Sequence, residues 1–297
     1  MRSDALPNVD LIKGDILRSG DAIADLKARL LESPRDVDLQ RQLGIACFLA
    51  GETARGLKII QALVSSNPFD ILSLAYLGSF QALSPDRSAL ELFDFENQIL
   101  IQRLFAHQPE STHLNDQLAA AVLGDPDLKA GRSGKSTING LQTREIWPQL
   151  AESVPLLGSR LRRAVDEALV EFGCGPSGFG ERVCHITAWG VVLDRLGYQE
   201  PHVHPSGILS GVYYVRVPEL PSSRPHAGNL RFRKQPPWIA ADEVSDNLCR
   251  YVHPHAGDLV MFPSYFWHDT IPFDDTGTRI SIAFDVLAPQ LLPQEHE

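Results

Sequence analysis

Residues 201–215 read PHVHPSGILSGVYYV. His202 and His204 stand two positions apart at the entrance to an apolar run containing paired tyrosines. In an extended segment the side chains at i and i+2 point to one face, so these two imidazoles can converge on one point. The neighbouring segments VCHITAWGVVL, GNLRFR, GDLVMFP and TRISIAFDVL are also short, rich in β-branched and aromatic residues, and bounded by Gly, Pro or Asp. Such spacing predicts an antiparallel sandwich or barrel from Arg182 onward.

The chain before this region follows a different pattern. DVDLQRQLGIACFLAG and TARGLKIIQALVSSNP place apolar residues at three- and four-residue steps, the period of a helical face. Leu43-Gly44 recurs as Leu77-Gly78, and Ala46, Gly51, Gly56 and Pro68 fall where a tetratricopeptide repeat places its small residues and terminal proline. Residues 37–70 therefore read as one repeat, and 71 to about 104 as a degraded second copy. Residues 123–146, rich in Gly, Ser and Thr, read as a connection. GRSGKST within it is not a phosphate-binding loop, because Lys129 stands where the first glycine is required. A single helix is expected from Ile146 to Phe172, with Pro148 in its first turn and Gly173 past its end.

With 297 residues, 43% hydrophobic and 22% charged, the chain can build a sizeable core. A net charge of −10 argues against nucleic acid as a partner. Cys47, Cys174, Cys184 and Cys249 form no CxxC pair, which fits a reducing compartment. No apolar stretch approaches the ~20 residues that span a bilayer, and the N-terminus lacks the apolar core of a signal peptide. These features predict a cytoplasmic protein without a membrane partner.

A third histidine, His268 in FPSYFWHDTIPF, arrives at the end of a strand. Arg279 and Ser281 follow on one face of the last strand. This order resembles the iron(II)- and 2-oxoglutarate-dependent oxygenases, whose double-stranded β-helix carries HxD/E…H ligands and a late arginine for the co-substrate. More closely, WGVVLDRLGYQEPHVHPSGILSGVYYVRVP, GNLRF, HAGDLVMFPSYFWHDTIPF and TRISIAFDV are similar to the 2-oxoglutarate oxygenase group found behind tetratricopeptide repeats. The likeness covers about 180–288, with GLQTREIW as a weaker upstream piece. The resemblance implies an α+β chain. A helical tetratricopeptide-like domain over 1–125 would precede a double-stranded β-helix (jelly roll) over 126–297, led by a loop and helix over 126–175.

It also implies Fe(II) held by His202, His204 and His268, and 2-oxoglutarate as co-substrate anchored by Arg279 and Ser281. Dioxygen and an unidentified substrate would complete the reaction, the helical repeats pointing to a peptide or protein. Non-haem iron(II) needs open positions for a bidentate 2-oxoacid and dioxygen, and a planar guanidinium suits the distal carboxylate. One departure stands out: His204 occupies the slot that usually holds Asp or Glu. His204 can ligate, stand aside for water or chloride, or yield to a carboxylate such as Asp269; the two-residue spacing favours ligation. Neutral third-ligand chemistry leaves the metal one negative charge short.

Two other readings are carried. One is a three-histidine cupin-like dioxygenase without 2-oxoglutarate, against which Arg279 and Ser281 argue. The other is a catalytically inactive repeat-type adaptor, against which the convergent imidazoles argue. His253 and His255 repeat the HxH spacing but are expected at the rim. His185 is expected as a core residue or a support for a ligand, while His107, His113, His226 and His296 read as surface or loop. Tyr213 and Tyr214 face opposite sides of their strand and are expected in core packing, as are Trp189 and Trp267. Asn139, Gln142 and Thr143 form a polar cluster that could line the mouth of the site or lie in a solvated loop.

Overall fold

Asp36 and Asp70 start two of the helices that the apolar period predicts: each side chain accepts a backbone N–H three residues on, from Leu39 at 2.9 Å and from Ser73 at 3.1 Å. A computed structural model describes residues 20–84, 92–105, 108–130, 135–172, 185–219, 226–238, 245–274 and 277–287. These divide into two compact units.

The first unit takes 1–94, 232–250 and 265–267. Its helices are α1 (Gly20–Glu32), α2 (Val37–Leu49), α3 (Thr53–Ser66) and α4 (Ile71–Leu83). A Cβ on Gly56 would lie 2.7 Å from the Gly44 carbonyl oxygen, so the two small residues let α2 and α3 pack backbone to backbone. Arg41, only 8% exposed, joins α2 to the start of α4 by donating to Asp70 at 2.8 and 3.1 Å and to Ser73 Oγ at 2.9 Å. Phe48 stacks on Phe80 with ring centroids 3.8 Å apart, and the Trp267 indole donates to Ser79 Oγ at 3.0 Å.

Among the described residues of the second repeat copy, expected over 71 to about 104, α4 is followed by no second helix. Residues 92–99 are turns and irregular backbone, and Leu100–Arg103 is a strand. The Phe93 ring, not a second helix, fills the space beside Gly78, where an added Cβ would come within 2.8 Å of it. No helix among the described residues is long and apolar enough to cross a membrane.

The second unit takes 95–231, 251–264 and 268–297. In chain order it brings β1 (Leu100–Arg103), α5 (Gln108–Leu123), β2 (Lys129–Ala130), β3 (Thr137–Gln142), α6 (Trp147–Ser153), α7 (Pro155–Glu171), β4 (His185–Gln199) and β5 (Gly207–Arg216). Further along the chain it adds β8 (Asp258–Pro263), β9 (His268–Thr270) and β10 (Arg279–Leu287), whereas β6 (Leu230–Arg233) and β7 (Cys249–Val252) each have residues in both units. Seven strands form one sheet in the order β1-β8-β5-β10-β4-β3-β2, every neighbouring pair antiparallel. A smaller sheet has the order β7-β6-β9, and His202 forms an isolated antiparallel bridge with His268, the first residue of β9.

Strand alternation divides the work of the large sheet. On β10, Ile280, Ile282, Phe284 and Val286 enter a hydrophobic cluster with residues of α5, α6 and α7. Arg279, Ser281, Ala283 and Asp285 therefore face the other way. On that face Trp189, Val191 and Leu193 of β4 pack with Ala283, Ala227 and Phe273.

Several sequence expectations change. The helix expected over 146–172 is two helices: Val154 ends α6, and Pro155 opens α7, because proline has no N–H to donate into the preceding turn. The expected connection 123–146 contributes β2 and β3 at a sheet edge. Helix α5, assigned to the helical half by the boundary at 125, belongs to the strand-rich unit, where Leu114, Leu118 and Val122 join the sheet's core. Residues 131–134 of the rejected phosphate-loop segment, Gly173, Cys174 and Cys184, and His107 and His296 lie outside the described residues.

Candidate metal and co-substrate site

The turn after His204 and the start of β9 bring three histidines together. His202 N–H donates to the His268 carbonyl at 3.0 Å, and His268 N–H returns the bond to His202 at 3.1 Å. His204 N–H donates to the Ser264 carbonyl at 3.0 Å. One ring nitrogen from each of His202, His204 and His268 lies within 4.8 Å of the others. His204 Nε2 and His268 Nε2 are 3.2 Å apart. Two adjacent donors on a metal at bonds of about 2.1 Å stand roughly 3 Å apart, so this spacing suits a shared ion.

The tautomers follow from what the other ring nitrogens touch. His202 Nδ1 lies 2.6 Å from the Glu200 carbonyl oxygen, which can only accept. His204 Nδ1 lies 2.7 Å from Asp285 Oδ1. Both Nδ1 atoms therefore carry the proton, and both Nε2 atoms are left as lone pairs. Burial, reinforced by the neighbouring His204, pulls the His202 pKa down to about 3 and keeps that ring neutral. Trp189 stacks on His204 with centroids 5.7 Å apart, and Phe262 meets His268 edge-on at 4.7 Å. The donor set fits ferrous iron, which accepts neutral imidazoles.

Arg279 opens β10, on the same face as Asp285, and is 3% exposed. It donates to the Gly228 carbonyl at 2.6 Å and lies over the Tyr214 ring at 5.6 Å. Its Nε is buried and has no hydrogen-bond partner. No carboxylate among the described residues pairs with it. Burial pulls its pKa below the ordinary value, with Tyr214 opposing. A buried guanidinium with an orphaned donor is suited to an anionic ligand, and its planar fork matches a carboxylate. Ser281, 6% exposed, lies two residues along on the same face.

Asp269 is not available as the third ligand. It accepts two bonds from Arg231, at 2.9 and 2.8 Å, and is buried in that pair. His253 and His255 follow β7 and bond Asn229 and Asp258, away from the histidine cluster. His185, expected in the core, is exposed at the first position of β4. Thr143 and Gln142 hold strands: Thr143 Oγ accepts Gly190 N–H at 2.8 Å, and Gln142 accepts the Thr137 hydroxyl at 3.3 Å. Tyr213 packs against Phe105 and donates to Asn115, while Tyr214 lies beneath Arg279. Sequence reasoning missed Asp285, Ser210 and Ser264. The only signal was their placement within the strand and turn motifs already recognised.

Residues 187–285, a third of the chain, match the family model described as "Putative 2OG-Fe(II) oxygenase". The matched segment contains all three histidines, Arg279 and Ser281. No curated protein matches the chain. Among solved structures it is similar to a Pseudomonas putida prolyl-4-hydroxylase, at 19% identity over 72% of this chain and 98% of that one, TM-score 0.43. A Trichoplax adhaerens prolyl hydroxylase in complex with a hypoxia inducible factor peptide fragment shows 14% identity, 76% and 94% coverage and TM-score 0.47. HygX from Streptomyces hygroscopicus, with nickel and 2-oxoglutarate bound, shows 14% identity, 68% and 88% coverage and TM-score 0.44. The family match and the three-histidine cluster together support iron(II) and 2-oxoglutarate as the cofactors.

Two outcomes follow from this geometry. His204→Ala, measured by metal analysis after anaerobic loading with iron(II), should retain little iron, whereas unchanged iron content would remove His204 from the donor set. An unfolded histidine titrates near pH 6.5, and the folded His202 near 3. Unfolding therefore takes up a proton between these values. The contribution is full above about pH 6.5 and is lost as pH falls toward 3, the loss reaching about 2 kcal/mol by pH 5. Metal-free protein should lose more thermal stability between pH 7.5 and 5 than metal-free His202→Gln, whose side chain stays neutral.

Proposed function

We propose that the chain is an iron(II)- and 2-oxoglutarate-dependent hydroxylase acting on a peptide or protein. The observation that carries the proposal is the pairing, within one unit, of three convergent imidazoles with a buried, carboxylate-free arginine. We read the large sheet of this unit, with the smaller β7-β6-β9 sheet, as a double-stranded β-helix. When bound, iron(II) with 2-oxoglutarate supplies the oxidising chemistry, consuming dioxygen and releasing succinate and carbon dioxide.

His202, His204 and His268 would hold the metal on one side and leave its remaining positions open. The Nδ1–H bonds of His202 and His204 fix ring orientation before any ligand arrives, so little ordering remains to be done on binding. Arg279 would take the distal carboxylate of the co-substrate, its free Nε–H being the donor that gains a partner. The Ser281 hydroxyl would add a second donor. Tyr214 lies under the guanidinium and fixes its plane; burial raises the Tyr214 pKa to about 12, so the phenol stays protonated. Val191, Leu193, Phe273 and Trp189 line this side of the sheet with apolar surface, which excludes water.

The substrate reading rests on the helical unit. Gly44 and Gly56, at positions where the sequence resembles a tetratricopeptide repeat, let α2 and α3 approach closely, and paired helices of that kind would offer a surface for a peptide. A cupin-like dioxygenase would need no 2-oxoacid, and an adaptor would need no metal.

The test is 2-oxoglutarate-dependent succinate formation by iron-loaded protein. Arg279→Met should raise the KM for 2-oxoglutarate roughly 30-fold or more, since breaking a buried charged pair costs about 2–5 kcal/mol. Ser281→Ala should raise it about 5- to 10-fold, the worth of one neutral hydrogen bond. Turnover without 2-oxoglutarate would favour the cupin reading, and absence of both metal and turnover would favour the adaptor.

A further inference from the structure

We infer that Asp285 is a positioning residue of the metal site, and that through His204 it supplies the negative charge the three-imidazole donor set lacks. The inference rests on the reading that His202, His204 and His268 hold iron(II).

A site built from two histidines and a carboxylate presents one negative charge to its metal. Three neutral imidazoles present none. Asp285 sits one ring away: its Oδ1 accepts the His204 Nδ1–H at 2.7 Å, on the side opposite the lone pair that faces His268. The carboxylate is 7% exposed, and no Lys or Arg among the described residues pairs with it. An unpaired buried carboxylate is costly, and a cation on the far side of the imidazole relieves that cost.

The carboxylate is itself held in place. The Ser210 hydroxyl donates to the same Oδ1 at 2.7 Å, and Ser210 and Ser264 hydroxyls lie 2.8 Å apart. The Ser264 carbonyl accepts the His204 backbone N–H, so Ser264, whose hydroxyl meets the Ser210 hydroxyl, also fixes the residue Asp285 orients. Gly207 leaves room for this arrangement. A Cβ there would stand 2.6 Å from Ser264 Oγ and 3.3 Å from Asp285 Cβ. Ser210 and Asp285 are register partners on β5 and β10, which sets their separation without help from a loop.

The negative charge thus reaches the metal through an imidazole instead of by direct ligation. The arrangement explains how a histidine can occupy the carboxylate slot without leaving the site electrostatically short.

Asp285→Asn keeps the size of the side chain and an oxygen for both His204 and Ser210, and removes only the charge. Cobalt(II) binding to the metal-stripped full chain, measured by equilibrium dialysis, should weaken about 10- to 100-fold in this variant. Its metal-free Tm should remain close to that of the wild type. The double variant His204→Asp/Asp285→Asn, which moves the carboxylate onto the metal, should recover affinity to within a few-fold. A lowered metal-free Tm with unchanged cobalt affinity would make Asp285 merely structural and overturn the inference. Should Asp285→Asn fail to fold, Ser210→Ala should still weaken cobalt binding about 3- to 10-fold by loosening the carboxylate, and unchanged binding would overturn it equally. A wild-type chain that binds no cobalt would overturn the metal-site reading itself, and this inference with it.

Discussion

Nε2 of His204 and Nε2 of His268 face each other at 3.2 Å. The His204 lone pair is forced by Asp285, which takes the only proton that neutral ring has to give. Lone pairs brought this close repel unless a proton or a metal lies between them. His202, whose Nδ1–H is likewise committed to Glu200, adds a third donor to the same space. Everything the site does follows from holding three imidazoles this way around.

The sheet achieves this by alternation. Strand β10 sends Ile280, Ile282, Phe284 and Val286 into a helix-covered core and presents Arg279, Ser281 and Asp285 on the other face. One strand therefore carries both the carboxylate that accepts the His204 Nδ1–H and the guanidinium suited to a diacid. A slip of one residue would bury the aliphatic side chains in the site and push the charges into the core, so the apolar face fixes the register of the polar one. The same alternation separates Tyr213, packed toward α5, from Tyr214 beneath Arg279.

Much of this was legible in the sequence, for identifiable reasons. The HxH pair, the later histidine and the RxS of the last strand sit inside short β-branched runs whose period is unambiguous. Asp285 was not legible, because a lone Asp inside FDVL looks like any strand residue until β5 places Ser210 beside it. Strands β1 and β3 were missed because LIQR and TINGLQ are short and only partly buried, without the unbroken β-branched runs of the central strands. Gly78 was no guide to a second helix, because a glycine accommodates an aromatic ring, here Phe93, as readily as a neighbouring helix. Pro155 was read through as part of one long helix, although a proline can begin a helix as well as interrupt one.

The most direct measurement is an anaerobic crystal structure of the full chain with iron(II) and N-oxalylglycine, a non-reacting analogue of 2-oxoglutarate. The account predicts Nε2 of His202, His204 and His268 on one ion at about 2.1 Å, with the analogue's far carboxylate bonded to Arg279. An ion bound elsewhere, His204 turned away from it, or Arg279 left without the diacid would contradict the account.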